Sequence, residues 1–270
     1  METVTVQGVD VPVLGLGTAR MEGEECRNAV ETALDLGYRH LDTAQMYDNE
    51  AAVGAAIRDH PVDREDLFVT TKIDPSNLSP DDVHASFEAS LDRLGAEYVD
   101  LLLIHAPRDY APVAETIGAM NELQEAETVR HIGVSNFSVD GLRAAIDASE
   151  TPILTNQVEY HPYTDQTDLL SFCIDTDVLL TAYSPLAKGK VSDDETLAEI
   201  GDRYDKTPSQ VALRWLLQQD RVAAIPKASS RDHMAENLDV FGFELSNEEM
   251  ETVFDLQGGL LDRLRMALGL

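Results

Sequence analysis

The stretch VRHIGVSNFSVDGLRAAIDASETPILTNQVEY, residues 129–160, decides the fold of this chain. It opens on an apolar, β-branched run (129–135), passes through 139–149 with its apolar residues on one helical stripe, and closes on a second apolar run (153–160). Short apolar runs of that kind read as buried strands, and the 3.6-residue spacing between them reads as an amphipathic helix. Strand, helix and strand in so little sequence form a βαβ unit, which joins parallel neighbours.

The same unit recurs on both sides. Further strands are expected at 13–17, 39–43, 67–73, 99–105, 178–184 and 222–227, and helical segments at 24–36, 50–60, 79–94, 113–127, 165–176 and 207–219. Val83, Phe87, Leu91 and Leu94 share one helix face, and Ser79-Pro80 and Thr207-Pro208 each read as an N-cap followed by proline at the first helical position. Eight alternations without a break in composition predict an α/β chain, residues 1–270, folded as a single (β/α)8 TIM barrel. Val4 and Val6 before Gly8, with Val11 after it, predict a short N-terminal β-hairpin that plugs the barrel's bottom. The tail, 258–270, reads as a short amphipathic helix with Leu260, Leu261, Leu264 and Leu268 on one side, expected over the pocket mouth.

Composition narrows the function. Fifty Asp and Glu stand against 20 Lys and Arg, a formal charge of −30, which disfavours nucleic acid and anionic membranes as partners. The acids are scattered, as on a solvated surface, in a balance that resembles proteins of salt-loving microbes. Cys26 and Cys173 are too few for a disulfide framework and read as small buried apolar residues. The start lacks the basic and apolar regions of a signal peptide, and no run approaches the ~18 apolar residues of a membrane span. A soluble, cytoplasmic monomer is expected.

Unusual polar residues gather at the C-terminal ends of the expected strands: Asp42, Lys72, His105, Ser135 and Asn136, Gln157, Tyr183 and Ser184, and Lys227. In a parallel barrel those ends converge on the face where active sites are built. A lysine closing an apolar strand is expensive unless paired, and Asp42 is its natural partner. Tyr47, five residues beyond Asp42, is close enough to share the site. An ammonium beside a phenol stabilises the phenolate, so a tyrosine there can give its proton to a nascent alkoxide. Without His105 at the next strand end, the same residues would read as a structural ion pair beside a surface aromatic.

At this point the chain resembles the aldo-keto reductase family, through GYRHLDTAQMYDNE (37–50), TTK (70–72), LLLIHAP (101–107), IGVSNF (132–137), NQVEYHP (156–162), AYSPLAKG (182–189) and IPKASS (225–230). The resemblance spans almost the whole chain. It implies NAD(P)H-dependent reduction of aldehydes or ketones on a (β/α)8 barrel, with a catalytic tetrad of Asp42, Tyr47, Lys72 and His105. Tyr47 would protonate the carbonyl oxygen and His105 orient it, the two forming the substrate-binding pair. Tyr183 matches the tyrosine that stacks on the nicotinamide, while Ser135, Asn136 and Gln157 match the groups that hold its carboxamide. Gly17, Thr18, Asp42, Ser184 and Leu186 are implied as further cofactor contacts, and Glu236 and Asn237 match a pair that holds the adenine. Around the 2′-phosphate the chain departs from the family: Ala228 follows Lys227 where a serine is usual, and His233 stands where an arginine is common. Lys227, Ser229 and Arg231 are therefore expected to favour NADPH weakly, with some use of NADH. Ala19 and Ala106 occupy places where many members carry aromatics, so a wider pocket is expected.

Three other readings compete with this one. Gly15-Leu16-Gly17 with Asp42 imitates a dinucleotide fingerprint, but Arg20 replaces the third glycine. His40, Asp42, His105, His131 and His161 offer ligands for a metal-dependent barrel hydrolase, yet Lys72 among them would repel the metal. A regulatory barrel that binds the cofactor without turnover is opposed by the intact tetrad. No metal is expected.

Overall fold

A computed structural model describes residues 2–108 and 111–258. Strands β1 (Thr3–Val6) and β2 (Val9–Pro12) pair antiparallel as the expected hairpin. The chain then alternates: β3 (Leu16–Gly17), α1 (Gly23–Leu36), β4 (His40–Asp42), α2 (Glu50–Asp59), β5 (Phe68–Ile73) and α3 (Pro80–Leu94). It continues through β6 (Val99–Ile104), α4 (Val113–Glu125), β7 (Val129–Ser135), α5 (Val139–Ala148), β8 (Ile153–Glu159) and α6 (Thr167–Asp175). Last come β9 (Leu179–Tyr183), α7 (Glu195–Asp202), α8 (Pro208–Leu217), β10 (Val222–Ala224), α9 (Arg231–Leu238) and α10 (Asn247–Asp255).

Strands β3 to β10 lie side by side in sequence order and all parallel. The two ends of that sheet meet. Leu14 bridges Ala224, the Gly15 N–H donates to Ala224 O at 2.9 Å, and the Gly17 N–H donates to Pro226 O at 3.1 Å. A Cβ on Gly17 would stand 2.7 Å from the Ile225 carbonyl, so glycine is what permits this closure. The (β/α)8 barrel is thus complete.

Its closing strands are shorter than the sequence pattern suggests. The ladder of β10 stops at Ala224, not at 227, because Pro226 has no N–H to donate. Lys227 consequently lies in the loop beyond the strand rather than at its end. Three helices were not legible as periodic segments: α7, inserted before α8; α9, which packs on α1 and α8; and α10, which packs on α7 and α8. The expected tail helix falls on 259–270, outside the described residues.

Two cores hold the barrel. Inside it, Val6 and Val11 of the hairpin are buried with Phe68, Leu101, Leu103, Leu154, Leu179 and Ala223. Phe68 and Leu179 begin their strands, so the hairpin does close the N-terminal end. Gln7 Nε2 fastens it there, donating to Ile153 O at 3.1 Å and Asp177 O at 2.8 Å. Between sheet and helices, Trp215 of α8 is fully buried against Tyr160 and Phe254, ring centroids 5.3 and 4.9 Å away. Cys26 and Cys173 are free and buried, and burial pushes their thiols up to about 11 and about 12. Outside the barrel near its N-terminal end, Asp100 accepts from the Val69 N–H (2.9 Å) and pairs with Arg64 (2.7 Å) and Arg130 (2.9 Å). The two guanidinium groups lie 4.2 and 4.0 Å from the Tyr98 ring centroid. No described helix is long and apolar enough to cross a membrane.

Candidate active site

The C-terminal ends of the eight strands share one face, and the register explains which side chains meet there. Asp42 pairs with Thr70 across β4 and β5, so Lys72, two residues on, shares the inward face one layer higher. Lys72 Nζ donates to Asp42 Oδ1 at 2.5 Å and to Thr43 O at 2.9 Å. Both side chains are enclosed, 1% and 2% exposed. The second carboxylate oxygen, Asp42 Oδ2, accepts from Gln157 Nε2 at 2.7 Å. A buried ion pair persists when its remaining lone pairs are satisfied in this way. Burial alone pulls the Lys72 pKa down, but the Asp42 charge and the neighbouring Tyr47 outweigh it and hold the lysine above its ordinary value. Lys72 is therefore an ammonium at neutral pH.

Tyr47 ends a 3-10 turn, Gln45–Tyr47, with Lys72 Nζ 5.1 Å from its ring centroid. His105, just past β6, meets that ring edge-on, with centroids 5.6 Å apart and planes at 88°. Burial, and then the positive charge of Lys72, pull the His105 pKa down to about 4. The imidazole is neutral at neutral pH and can donate only one hydrogen bond. Its Nδ1 is buried without a partner among the described residues, which leaves Nε2 as the usable position.

The turn is held from the β3 side by a residue the sequence did not single out. Asn49 is buried; it accepts from Thr43 Oγ1 at 2.6 Å and donates to Thr18 O (2.8 Å) and Met21 O (3.0 Å). Thr18 in turn donates through Oγ1 to Asp42 O at 2.9 Å. An asparagine after a turn reads as turn chemistry, so only the fold shows it as a tie between two loops.

The expected cofactor contacts divide into two groups. Around the mouth, Ser135 Oγ donates to Gln157 O (2.8 Å), Asn136 Nδ2 donates to Ser135 Oγ (3.1 Å) and His105 O (2.9 Å), and the Tyr183 hydroxyl donates to Asn136 Oδ1 (2.9 Å). With the Gln157–Asp42 bond these make one continuous path from Lys72 to Tyr183. Ser184 follows in the left-handed region (φ 49°), ahead of Leu186, which packs partly on the core. Beyond β10, the neighbour of β9, Lys227, Ser229 and Arg231 are exposed at the approach to α9, whose N-cap Ser230 accepts from the His233 N–H at 3.3 Å. Farther along α9, Glu236 accepts from Thr207 Oγ1 at 2.5 Å, and Asn237 is buried within hydrogen-bonding reach of the Tyr38 hydroxyl. Two cations and a hydroxyl at a helix N-terminus suit a phosphate, and the amides by Tyr183 suit a carboxamide. The residues present fit a dinucleotide lying between the two groups.

Comparison with known proteins gives the same answer. Residues 13–257 match the model of the Aldo/keto reductase family. The chain belongs to that family.

Relatives include an aldo-keto reductase of Mycobacterium avium, 43% identical over 92% of this chain and 87% of that protein. The glyoxal reductase of Bacillus subtilis is 40% identical over 91% of this chain and 89% of its own. The crystal structure of a putative 2,5-diketo-D-gluconic acid reductase B superposes with a TM-score of 0.93 at 47% identity, covering 95% of this chain and 91% of the other. As an aldo-keto reductase, the protein is an NAD(P)H-dependent oxidoreductase acting on small-molecule carbonyl compounds.

In this reductase the histidines that could serve as metal ligands do not converge. His40 is buried with Nδ1 3.3 Å from Pro12 O and Nε2 3.3 Å from Thr70 Oγ1, and His161 Nε2 lies 3.0 Å from Thr164 Oγ1. His131 is in register with Leu101 of the barrel interior, four residues before Ser135 and well below the open face. Among the described residues no group of three or more His, Cys, Asp or Glu is placed to hold a metal ion. Next to Tyr47 in the same turn, Met46 is 53% exposed, an apolar side chain open to solvent.

Proposed function

We propose that this reductase converts aldehydes and ketones to alcohols with NADPH preferred over NADH, and that Tyr47 supplies the proton. The observation that carries the reading is the enclosed Lys72–Asp42 pair set beside the Tyr47 ring, with a neutral His105 edge-on to that ring. The reduced nicotinamide supplies the hydride when bound. As negative charge develops on the carbonyl oxygen, the Tyr47 hydroxyl gives up its proton to it, and the fixed ammonium of Lys72 stabilises the phenolate that remains. His105 Nε2–H donates a hydrogen bond to the same oxygen and orients it; with its pKa near 4, it is a poor proton donor at neutral pH. Asp42 keeps Lys72 charged and in place. Ser135, Asn136 and Gln157 would hold the carboxamide and Tyr183 would stack on the nicotinamide, with Gly17, Thr18, Ser184 and Leu186 as further contacts to the cofactor. Lys227, Ser229 and Arg231 would hold the 2′-phosphate, and Glu236 with Asn237 the adenine.

One barrel domain carries all of this, working as a cytoplasmic monomer without a nucleic-acid partner; the −30 charge supports the last point. Two relatives bear the names of dicarbonyl reductases, which makes glyoxal and 2,5-diketo-D-gluconic acid the first compounds to assay. The test follows NADPH consumption with these substrates in wild type and Tyr47→Phe. The variant is expected to lose about 10²–10⁴-fold in kcat while NADPH still binds. Retention of more than about a tenth of wild-type kcat, against that expected loss, would remove Tyr47 as the donor.

A further inference from the structure

We propose that Glu50 is a positioning residue for proton transfer: through Thr71 and Arg93 it fixes the turn that carries Tyr47 against the strand that carries Lys72. This rests on the reading of Tyr47 as proton donor and adds to it a device behind the tetrad. Glu50 opens α2, where an acidic residue is ordinarily a solvated partner of the helix dipole. Here it is 1% exposed. Its Oε1 accepts from Thr71 Oγ1 at 2.6 Å, and its Oε2 accepts from Arg93 Nε at 2.8 Å and Nη2 at 2.6 Å. Thr71 is the neighbour of Lys72 on β5, and strand alternation turns it outward as Lys72 turns inward.

The circuit closes on the turn itself. Arg93 Nη2 also donates to Ser90 Oγ (3.0 Å), which accepts from Gln45 Nε2 (3.1 Å). Gln45 opens the turn that Tyr47 ends, and its Oε1 accepts from the Asp74 N–H (2.8 Å) and Asn77 Nδ2 (3.3 Å) just beyond β5. Five side chains on β5, α2, α3 and the turn thus tie the backbone on both sides of Lys72 to the backbone just before Tyr47. The helices are brought together for it. A Cβ on Gly54 would stand 2.0 Å from the Leu94 carbonyl, so α2 and α3 cross backbone to backbone at a place only glycine allows. An enclosed carboxylate is costly, and a surface ion pair would join α2 to α3 as well. What the enclosed one adds is a fixed length from Thr71 to Gln45, and proton transfer is sensitive to donor placement on the scale of an ångström.

The experiment compares Glu50→Gln, which keeps the shape and removes the charge, with Thr71→Val, which removes one hydrogen bond at nearly constant volume. Single-turnover reduction, its solvent deuterium isotope effect, and NADPH affinity by fluorescence titration are measured on protein shown to be folded by circular dichroism. We expect Glu50→Gln to lose about 10- to 100-fold in rate and Thr71→Val about 3- to 10-fold. NADPH affinity stays the same within error, and the isotope effect rises as proton transfer becomes the slower step. Wild-type rates in both variants would overturn the proposal, as would a fall in rate with an unchanged isotope effect, which marks a structural role alone. If Glu50→Gln does not fold, Thr71→Val decides. Tyr47→Phe in the same assay separates the two readings: an active Tyr47→Phe removes the donor, whereas an inactive one beside wild-type-like Glu50 and Thr71 variants removes only Glu50.

Discussion

Each end of the barrel buries an acid against bases, yet the two ends are finished differently. At the N-terminal end, Asp100 is saturated by Val69, Arg64 and Arg130, the guanidinium groups pack on the Tyr98 ring, and the hairpin fills the barrel interior beside them. At the C-terminal end, Asp42 is equally saturated by Lys72 and Gln157, but what lies above it is a phenol and a neutral imidazole. A buried charge network sealed by apolar groups and cations can only hold the fold. The same kind of network left open beneath a titratable group can hold a proton donor in place, and that is what distinguishes a site from a staple.

The contrast is broken most directly at the sealed end. Asp100→Asn leaves two arginines facing a neutral amide, and breaking a buried ion pair costs about 3 kcal/mol at the low end of its range. The low end applies because both guanidinium groups reach solvent. For a chain of this size that is roughly 6–12 °C in Tm. Thermal melts should show the drop, while kcat per folded molecule stays at the wild-type value. A tenfold loss of kcat in folded Asp100→Asn would mean that the two ends are coupled.

How much of this was legible in the sequence follows from which face a residue occupies. Inward polar residues at strand ends, Asp42, Lys72 and Gln157, interrupt apolar runs and stand out. Outward polar residues beneath helices do not: Thr71 reads as ordinary β-branched strand composition, and Glu50 and Arg93 read as surface charges on amphipathic helices. Their meeting depends on the close crossing at Gly54, which no local pattern encodes. The eighth strand reads three residues longer than it is because Ile225 and Pro226 extend its apolar run to Lys227, although Pro226 ends the ladder. Helices α7 and α9 are only eight residues each, too short for a stripe to declare itself.

A smaller effect sharpens the picture of the open end. If Arg231 reaches the 2′-phosphate in place of the arginine that His233 replaces, Arg231→Ala should weaken NADPH about tenfold, the size of one charge-assisted hydrogen bond. NADH, which lacks that phosphate, should bind the variant as it binds wild type. Titration of both cofactors against both proteins gives four dissociation constants. An unmoved NADPH value would return the phosphate to Lys227 alone, and a wild-type preference for NADH would remove the NADPH assignment.

The gentlest probe is salt, and it should act with opposite signs on the body of the molecule and on its mouth. The formal charge of −30 is spread over the chain, while Lys188 and Lys190 lie beyond β9, and Lys227 and Arg231 beyond β10, on the open face. Raising the salt from 0.1 to 1 M shortens the Debye length from ~10 Å to ~3 Å. Self-repulsion among the carboxylates is then screened, and Tm should rise by a few degrees, about the effect of 1–2 kcal/mol. The attraction between the mouth and a phosphate-bearing cofactor is screened by the same ions, so the NADPH dissociation constant should rise over the range in which Tm rises. A Tm that does not move up to about 3 M salt, where the Debye length is below ~3 Å, would remove the halophile reading and leave the reductase assignment untouched. A dissociation constant that falls as salt rises would show that the cationic rim does not capture the cofactor, and that shape and hydrogen bonds at the open end do.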